Sequence, residues 1–545
     1  MRKKLTHIFI DKKIVTFSCI FLLLFIFIIL SFLFFQFTVD DAYITYRHSF
    51  NLINEGNLSW NLTGDRQEAF TNPLFVILGT IGIKFGIKPE LPIKIISFFL
   101  LFHWLKRTIN ISKQEKSNKK FFLSTIFIFF IPLYAHAYAG LETLLFSYLL
   151  FEYLACKTLG ESKDISQSLL MLTCRPEGAL FVLMSFSNLI LRVFNKSHIP
   201  KFNKKNYIWI FFCCITTIFT LSIMIYKFHF FGDLFPNTFY AKSKNETSFY
   251  LIIKNLIDSS AWIILFIITF SFGIKNKYNL FKYLGIIFIY LFYLKSNLAM
   301  NYFDRFWFQI LWPPIIYGIS VKSKFLNFKN FKNNSLSLSK IFRNKIYFSN
   351  LMGLLYLYLR CAGILTDPVM ILTKLDANGR YIKGWAKLGE SIDLVLPYDS
   401  KIFLGEAGYI PYYAQREIYD LHGLGTKQIA KKGISYEFLE NKKIDLFILY
   451  ATGCNENQTN KKRFPNEINF INNYNYKYVG SIPFRSSLCL NLYSSPEYEK
   501  YFYKSVYLNN YDITKTNNQV LKNSIFKNII YSYKYLFSKE GYIPK

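Results

Sequence analysis

Apolar residues fall in long blocks along this chain, and basic residues cluster in short segments between the blocks. The first block, Ile14 to Phe37, carries no charge and is long enough to cross a bilayer as one helix. Further blocks at Leu91–Leu105, Phe121–Tyr138, Leu141–Cys156, Ile165–Cys174, Ala179–Val193, Tyr207–Phe228, Leu256–Phe272, Leu280–Leu294, Phe306–Val321 and Ile346–Leu365 bring the expected total to about eleven spans. Leu74–Phe85 is too short to cross, and is read as re-entrant or interfacial. Tyr43–Ile53 has helical spacing and reads as a helix lying along the membrane surface. After about Thr366 the pattern changes. Lys401–Gly405 and Ile444–Tyr450 read as buried strands flanked by polar, helix-compatible sequence. The expected fold is therefore a polytopic α-helical membrane protein with a small C-terminal α/β domain. Its parts are a membrane domain over residues 1–365 with a first outer loop at 38–90, a soluble domain over 366–495, and a Tyr/Asn/Lys-rich tail over 496–545.

Charge sets the orientation. The formal net charge is +31, but Lys and Arg cluster between apolar blocks, which is the positive-inside pattern and argues against a nucleic-acid-binding domain. Arg2, Lys3, Lys4, Lys12 and Lys13 place the N-terminus in the cytoplasm, and the basic segment 322–345 is likewise cytoplasmic. The odd number of spans then puts the C-terminal domain outside. The first apolar run exceeds a signal-peptide core and lacks a small-residue cleavage site, so it is read as a retained span. Composition agrees, at 52% hydrophobic and 19% aromatic residues. The eight cysteines show no metal-ligand spacing, and no metal or other cofactor is expected. Cys454 and Cys489 lie in the polar C-terminal part, where an oxidising compartment would allow them to pair.

This topology collects acids and bases at the outer ends of separate helices: Asp40, Asp41, Glu68, Glu142, Arg175, Glu177, Asp233, Lys242, Asp304 and Arg305. Each alone reads as an interfacial anchor or a local ion pair. Together, in loops too short to form a domain, they read as one polar cavity at the membrane surface. A carboxylate there can act as general base on a hydroxyl, and cations can hold a departing phosphate. The chemistry that fits is group transfer from a lipid phosphate. A transporter or flippase for a lipid-linked glycan is the main alternative, although it more often buries its charges near the midplane. A non-catalytic assembly protein that presents the C-terminal domain is a third reading.

The motifs Asp40-Asp41-Ala42-Tyr43-Ile44-Thr45-Tyr46-Arg47, Glu68-Ala69-Phe70-Thr71-Asn72-Pro73-Leu74, Gly140-Leu141-Glu142-Thr143, Arg175-Pro176-Glu177-Gly178, Gly232 to Lys242, Asp304-Arg305-Phe306 and Gly405 to Tyr413 follow one another along residues 38–425. In this order they resemble membrane glycosyltransferases of the type C superfamily that use polyprenyl-phosphate sugars, most of all the terminal arabinofuranosyltransferase group. The resemblance implies an inverting hexosyl- or pentosyltransferase of the bacterial inner membrane, acting on the extracytoplasmic face. Its partners would be the lipid bilayer, a polyprenyl-phosphate sugar donor and a glycan acceptor on the cell surface or on a lipid. It implies Asp40 as catalytic base, Asp41 as positioning the acceptor or the base, and Glu142 as the second acidic position. Arg175, Lys242 and Arg305 are candidates for the donor phosphate by charge and location. Tyr43, Arg47, Glu68, Asn72, Asp233, Asn237 and Tyr240, within the motifs, are candidates for positioning substrate. Glu406 stands where the family often has Asp, and is read as structural.

Overall fold

The computed structural model describes residues 12–64, 66–114, 120–156, 162–194, 204–233, 236–243, 249–273, 277–298, 301–321, 355–361, 384–460, 463–485 and 488–503. The basic segment 322–345, most of the expected last span at 346–365, the basic N-terminus up to residue 11 and the tail beyond 503 lie outside the described residues.

The first apolar run forms α1 (Lys12–Phe35). The chain then turns by 69° into α2 (Asp40–Glu55). Asp40 and Asp41 occupy the first turn of α2, where the helix dipole favours negative charge. Gly56, in the left-handed region at φ 63°, closes it by donating its N–H to the Asn51 carbonyl. α3 (Pro73–Lys84) has Pro at its start and only 12 residues, about 18 Å of rise, so it cannot cross a bilayer core. α4 (Leu91–Gln114), α5 (Lys120–Ile128), α6 (Ile131–Tyr138), α7 (Thr143–Ala155), α8 (Ser162–Cys174), α9 (Gly178–Phe194), α10 (Lys204–Phe231), α11 (Asn237–Ser243), α12 (Phe249–Gly273), α13 (Lys277–Lys295) and α14 (Arg305–Ser320) follow, with a further helix α15 over 355–361.

These helices cover the apolar blocks read from the sequence as far as Val321, without establishing the expected count of about eleven spans. Among the described residues, two stretches are long and apolar enough to cross a membrane unaided, Ile210–Phe231 and Phe249–Phe270, or three if α1 and α2 are taken as one bent span. The block expected at Phe121–Tyr138 is broken into α5 and α6 at Phe129–Phe130, just before Pro132. The packing core of the bundle is aromatic: Phe130 stacks on Trp312 with ring centroids 3.8 Å apart, and Trp104, Trp307 and Tyr138 are fully buried around them.

The C-terminal part begins with α16 (384–395) and contains one five-stranded sheet. Its strands are β1 (Lys401–Leu404), β2 (Glu417–Asp420), β3 (Leu446–Ala451), β4 (Lys477–Arg485) and β5 (Leu488–Ser494), in the spatial order β2-β1-β3-β5-β4. β1 pairs in parallel with β2 and β3; β5 pairs antiparallel with β3 and β4. Helices α17 (Tyr409–Ala414), α18 (Lys427–Lys432), α19 (Tyr436–Lys442), α20 (Pro465–Asn473) and α21 (Glu499–Tyr503) accompany the strands.

Alternation along β1 sends Ile402 and Leu404 to one face and Phe403 to the other. The Phe403 face is covered by α19 and α20 through Phe438, Leu439 and Phe470. The opposite face packs on Ile44 of α2 and on Trp60 and Ala69 of the first loop. The C-terminal part therefore shares its core with α2 and the loop that follows it. Cys454 and Cys489 are disulfide-bonded, tying the segment after β3 to β5.

Candidate active site

Ends of α2, α7, α8, α9 and α14 meet in one chain of ion pairs. Glu142 precedes α7 and is buried. Its Oε1 accepts hydrogen bonds from Arg175 at 2.7 Å and from Arg305 at 3.1 Å. Its Oε2 accepts one from the Asn72 side chain at 2.7 Å. Asn72 stands at the N-cap of α3 but does not cap it; its amide serves Glu142, and its carbonyl accepts from Thr45. Burial alone would raise the Glu142 carboxyl, but Arg305 and Arg175 hold it below the usual carboxylate range.

Arg175 sits in the turn between α8 and α9. It spends one nitrogen on Glu142 and two on Glu177, at 2.9 and 3.2 Å. The turn requires its glycine: a side chain at Gly178 would overlap the backbone of Met171 and Leu172. Glu177 also accepts from the Tyr293 hydroxyl of α13 at 2.8 Å. Its carboxyl, which burial would raise, is driven down to about 2, chiefly by Arg175.

Arg305 opens α14 after two consecutive non-glycine residues in the left-handed region, Phe303 (φ 47°) and Asp304 (φ 55°). Such backbone costs about 1–3 kcal/mol per residue and persists only where the surroundings enforce it. Here the Trp262 indole donates to Asp304 at 2.9 Å. The strained turn delivers the Arg305 guanidinium between Thr143 (3.2 Å), Glu142 and, at 3.6 Å, Asp41.

Of the residues expected from sequence, Asp41, Asn72, Glu142, Arg175 and Arg305 converge in this cluster. Asp40 does not face it. Its carboxylate turns to the C-terminal part, where Oδ2 accepts from the Gly408 N–H at 2.9 Å and Oδ1 from the Tyr409 N–H at 2.7 Å. A side chain at Gly408 would overlap the Asp40 backbone. Burial pushes the Asp40 carboxyl well above its usual range, and Glu406 and Asp41 add to that against the two N–H donors.

Arg47 and Tyr43, expected to position substrate, join the same domain seam. Arg47 donates to the backbone carbonyls of Trp60, Pro411 and Arg416 and to Asn61. Tyr43 stacks on Tyr409 at 3.9 Å and donates to Glu90. Asp233 pairs with Lys427 and Lys431 of α18, and Lys431 also lies over the Tyr240 ring. Glu68 pairs with Lys227, and its backbone carbonyl accepts from the Asn237 N–H. Lys242 is in α11, and its side chain lies outside the described residues.

Sequence reasoning counted Glu177 among the acids of the cavity but gave it no catalytic or binding role. Tyr293 went unnoticed because a tyrosine within an apolar block carries no signal of its own. The cluster is continuous with an apolar groove. A groove of about 310 Å³ between α9 and α13 begins at Pro176 and Glu177 and continues along Ala179, Leu180, Leu183, Phe288, Ile289 and Phe292. Leu183 and Phe288 are 65% and 58% exposed. Among the described residues no three His, Cys, Asp or Glu side chains converge as a metal site would require.

Residues 376–504 match the model of a domain of unknown function, DUF8728. No curated protein matches the chain. Among solved structures the chain is similar to ArnT from Cupriavidus metallidurans, determined bound to undecaprenyl phosphate. The TM-score is 0.50 at 9% identity, over 86% of this chain and 97% of that one. At that identity the likeness shows the fold alone: this chain has the helical membrane fold of ArnT, with a C-terminal sheet.

Proposed function

We propose that the protein is a membrane glycosyltransferase that moves a sugar from a polyprenyl-phosphate donor to a cell-surface glycan or lipid-linked acceptor. The observation that carries this reading is the position of Glu177. It belongs both to the ion-pair cluster and to the mouth of the apolar groove, so a charged site and a lipid-facing channel are one continuous feature. A substrate with a phosphate head and an isoprenoid tail matches that shape. The fold shared with ArnT, solved with undecaprenyl phosphate, and the ordered motifs of the type C superfamily support the same class.

In the proposed reaction the acceptor hydroxyl attacks the anomeric carbon on the face opposite the phosphate. A carboxylate at the start of α2 takes the hydroxyl proton. The bond between the anomeric carbon and the phosphate oxygen breaks, its electron pair passes to that oxygen, and polyprenyl phosphate leaves. Arg305 is the cation best placed to receive the phosphate, because its Asp41 contact is the loosest in the cluster and can be exchanged. Arg175 is fully engaged by two acids and fixes the geometry of Glu142. The Cys454–Cys489 disulfide supports a C-terminal domain in an oxidising compartment, and with it an extracytoplasmic site in the bacterial inner membrane.

The test is mass spectrometry of surface glycans and lipid-linked sugars from a deletion strain, complemented or not. The transferase reading expects loss of one sugar residue together with accumulation of a polyprenyl-phosphate sugar. Unaltered glycans, or loss of an entire glycan with no such donor accumulating, would overturn it.

A further inference from the structure

We propose that the two adjacent aspartates divide the work: Asp41 is the general base of the transfer, and Asp40 is the strut that docks the soluble domain onto the membrane domain. This deepens the transferase reading and rests on it.

Successive positions on a helix point about 100° apart, and the two carboxylates in the first turn of α2 take different partners. Asp40 faces the loop before α17. Each of its oxygens accepts a backbone N–H there, and the residue is 7% exposed. With Gly408 pressed against its backbone, no acceptor sugar can approach that carboxylate without separating the domains.

Asp41 faces the cluster. Its side chain is 28% exposed, and its nearest cation among the described residues is Arg305, at 3.6 Å, beyond hydrogen-bonding distance. Its lone pairs thus remain available toward the cavity. Arg305 connects Asp41 to Glu142, so a phosphate that takes up Arg305 loosens the pairing of Asp41 as it arrives. The Tyr302 hydroxyl is a further indication that a ligand binds here. It is buried without a hydrogen-bond partner among the described residues, and it lies within electrostatic reach of Arg305, Asp41 and Glu142. A buried hydroxyl left unsatisfied beside a half-exposed carboxylate fits a polar substrate group between them.

The experiment uses the deletion strain carrying the full chain or its variants under an inducible promoter. The initial rate of sugar addition is followed by mass spectrometry. In parallel, the purified proteins are melted and subjected to limited proteolysis. Asp41→Asn is expected to melt and resist protease like the wild type, and to lose at least ~100-fold in rate. Asp40→Asn turns an amide N–H₂ toward a backbone N–H. It is expected to lower the melting temperature and release a C-terminal fragment sooner, with the rate within about tenfold of wild type, the loss from an undocked domain being far smaller than the 10²–10⁴ a general base supplies. Gly408→Ala, which disturbs the same contact without touching a carboxylate, is expected to reproduce the Asp40→Asn pattern.

Two results would overturn the assignment: Asp41→Asn at wild-type rate in a strain whose deletion does alter the glycan, or Asp40→Asn losing 100-fold while melting and proteolysis are unchanged. A deletion that leaves every glycan intact removes the transferase reading, and the assignment with it.

Discussion

Nη1 of Arg175 lies 2.7 Å from Oε1 of Glu142, although 33 positions separate the two in the chain. Both are buried, so neither charge is dispensable to the other. Breaking a buried pair costs about 3–5 kcal/mol, because the partner is left charged and unmatched. Glu142→Gln is therefore expected to destabilise the protein by about 3 kcal/mol and to reduce transfer at least ~100-fold. Thermal melting of the purified protein and the rate of glycan product in cells read the two effects separately.

The same cluster sets a pH dependence. The Glu142 and Glu177 carboxyls are held below the unfolded value of 4.5, that of Glu177 at about 2. A depressed folded value means that the stabilisation is fully present above pH 4.5 and is lost as pH falls from there toward 2. Acidification through this window is expected to lower the melting temperature of the wild type more steeply than that of Glu177→Gln. Parallel curves would show that the pairing contributes nothing to stability.

Arg47 holds the domains together through carbonyls that only the folded C-terminal part supplies. Arg47→Met keeps the stem and removes every donor. It is expected to cost about 3 kcal/mol, given the strength of charged hydrogen bonds, and to speed loss of the C-terminal part under limited proteolysis. Release of an intact C-terminal fragment checks this.

Much of the helical layout was legible in the sequence because lipid imposes composition directly: a segment in hydrocarbon must be apolar, and Ile14–Phe37 or Tyr207–Phe228 can hardly be read otherwise. The breaks were less legible. Phe129–Phe130, between α5 and α6, is as apolar as its neighbours, and only Pro132 hints at the interruption. Within the site, charge and exit position found Asp41, Glu142, Arg175 and Arg305. They could not separate Asp40 from Asp41, because that depends on the phase of α2 against a loop 368 positions later. For the same reason Arg47 and Tyr43 read as substrate contacts. Nothing within their motif shows that their partners are Pro411, Arg416 and Tyr409.

Cys454 and Cys489 close a segment of 35 residues across β3 and β5. Replacing both by serine is expected to cost about 3 kcal/mol and to leave glycan transfer intact at low temperature. Melting curves of wild type and double variant, each with and without reductant, check it: reductant is expected to shift only the wild type.

The groove between α9 and α13 offers a test of the donor that is independent of catalysis. Leu180→Trp fills the channel beside Glu177 without adding charge. Native mass spectrometry of the purified protein with undecaprenyl phosphate is expected to show at least ~10-fold weaker binding, the scale of a ligand tail displaced from one apolar subsite. Unchanged binding would place the tail elsewhere.

The seating of Asp40 against Gly408 and Tyr409 also orders events during biogenesis. When the ribosome has delivered all of α1 to α14, the acids and arginines of the site are already in the membrane, but the wall against which α2 rests has not been made. That wall arrives only after the last third of the polypeptide has been made and has folded around its sheet. A prematurely terminated chain therefore carries the acids and arginines of the cluster without the surface on which the start of α2 is seated.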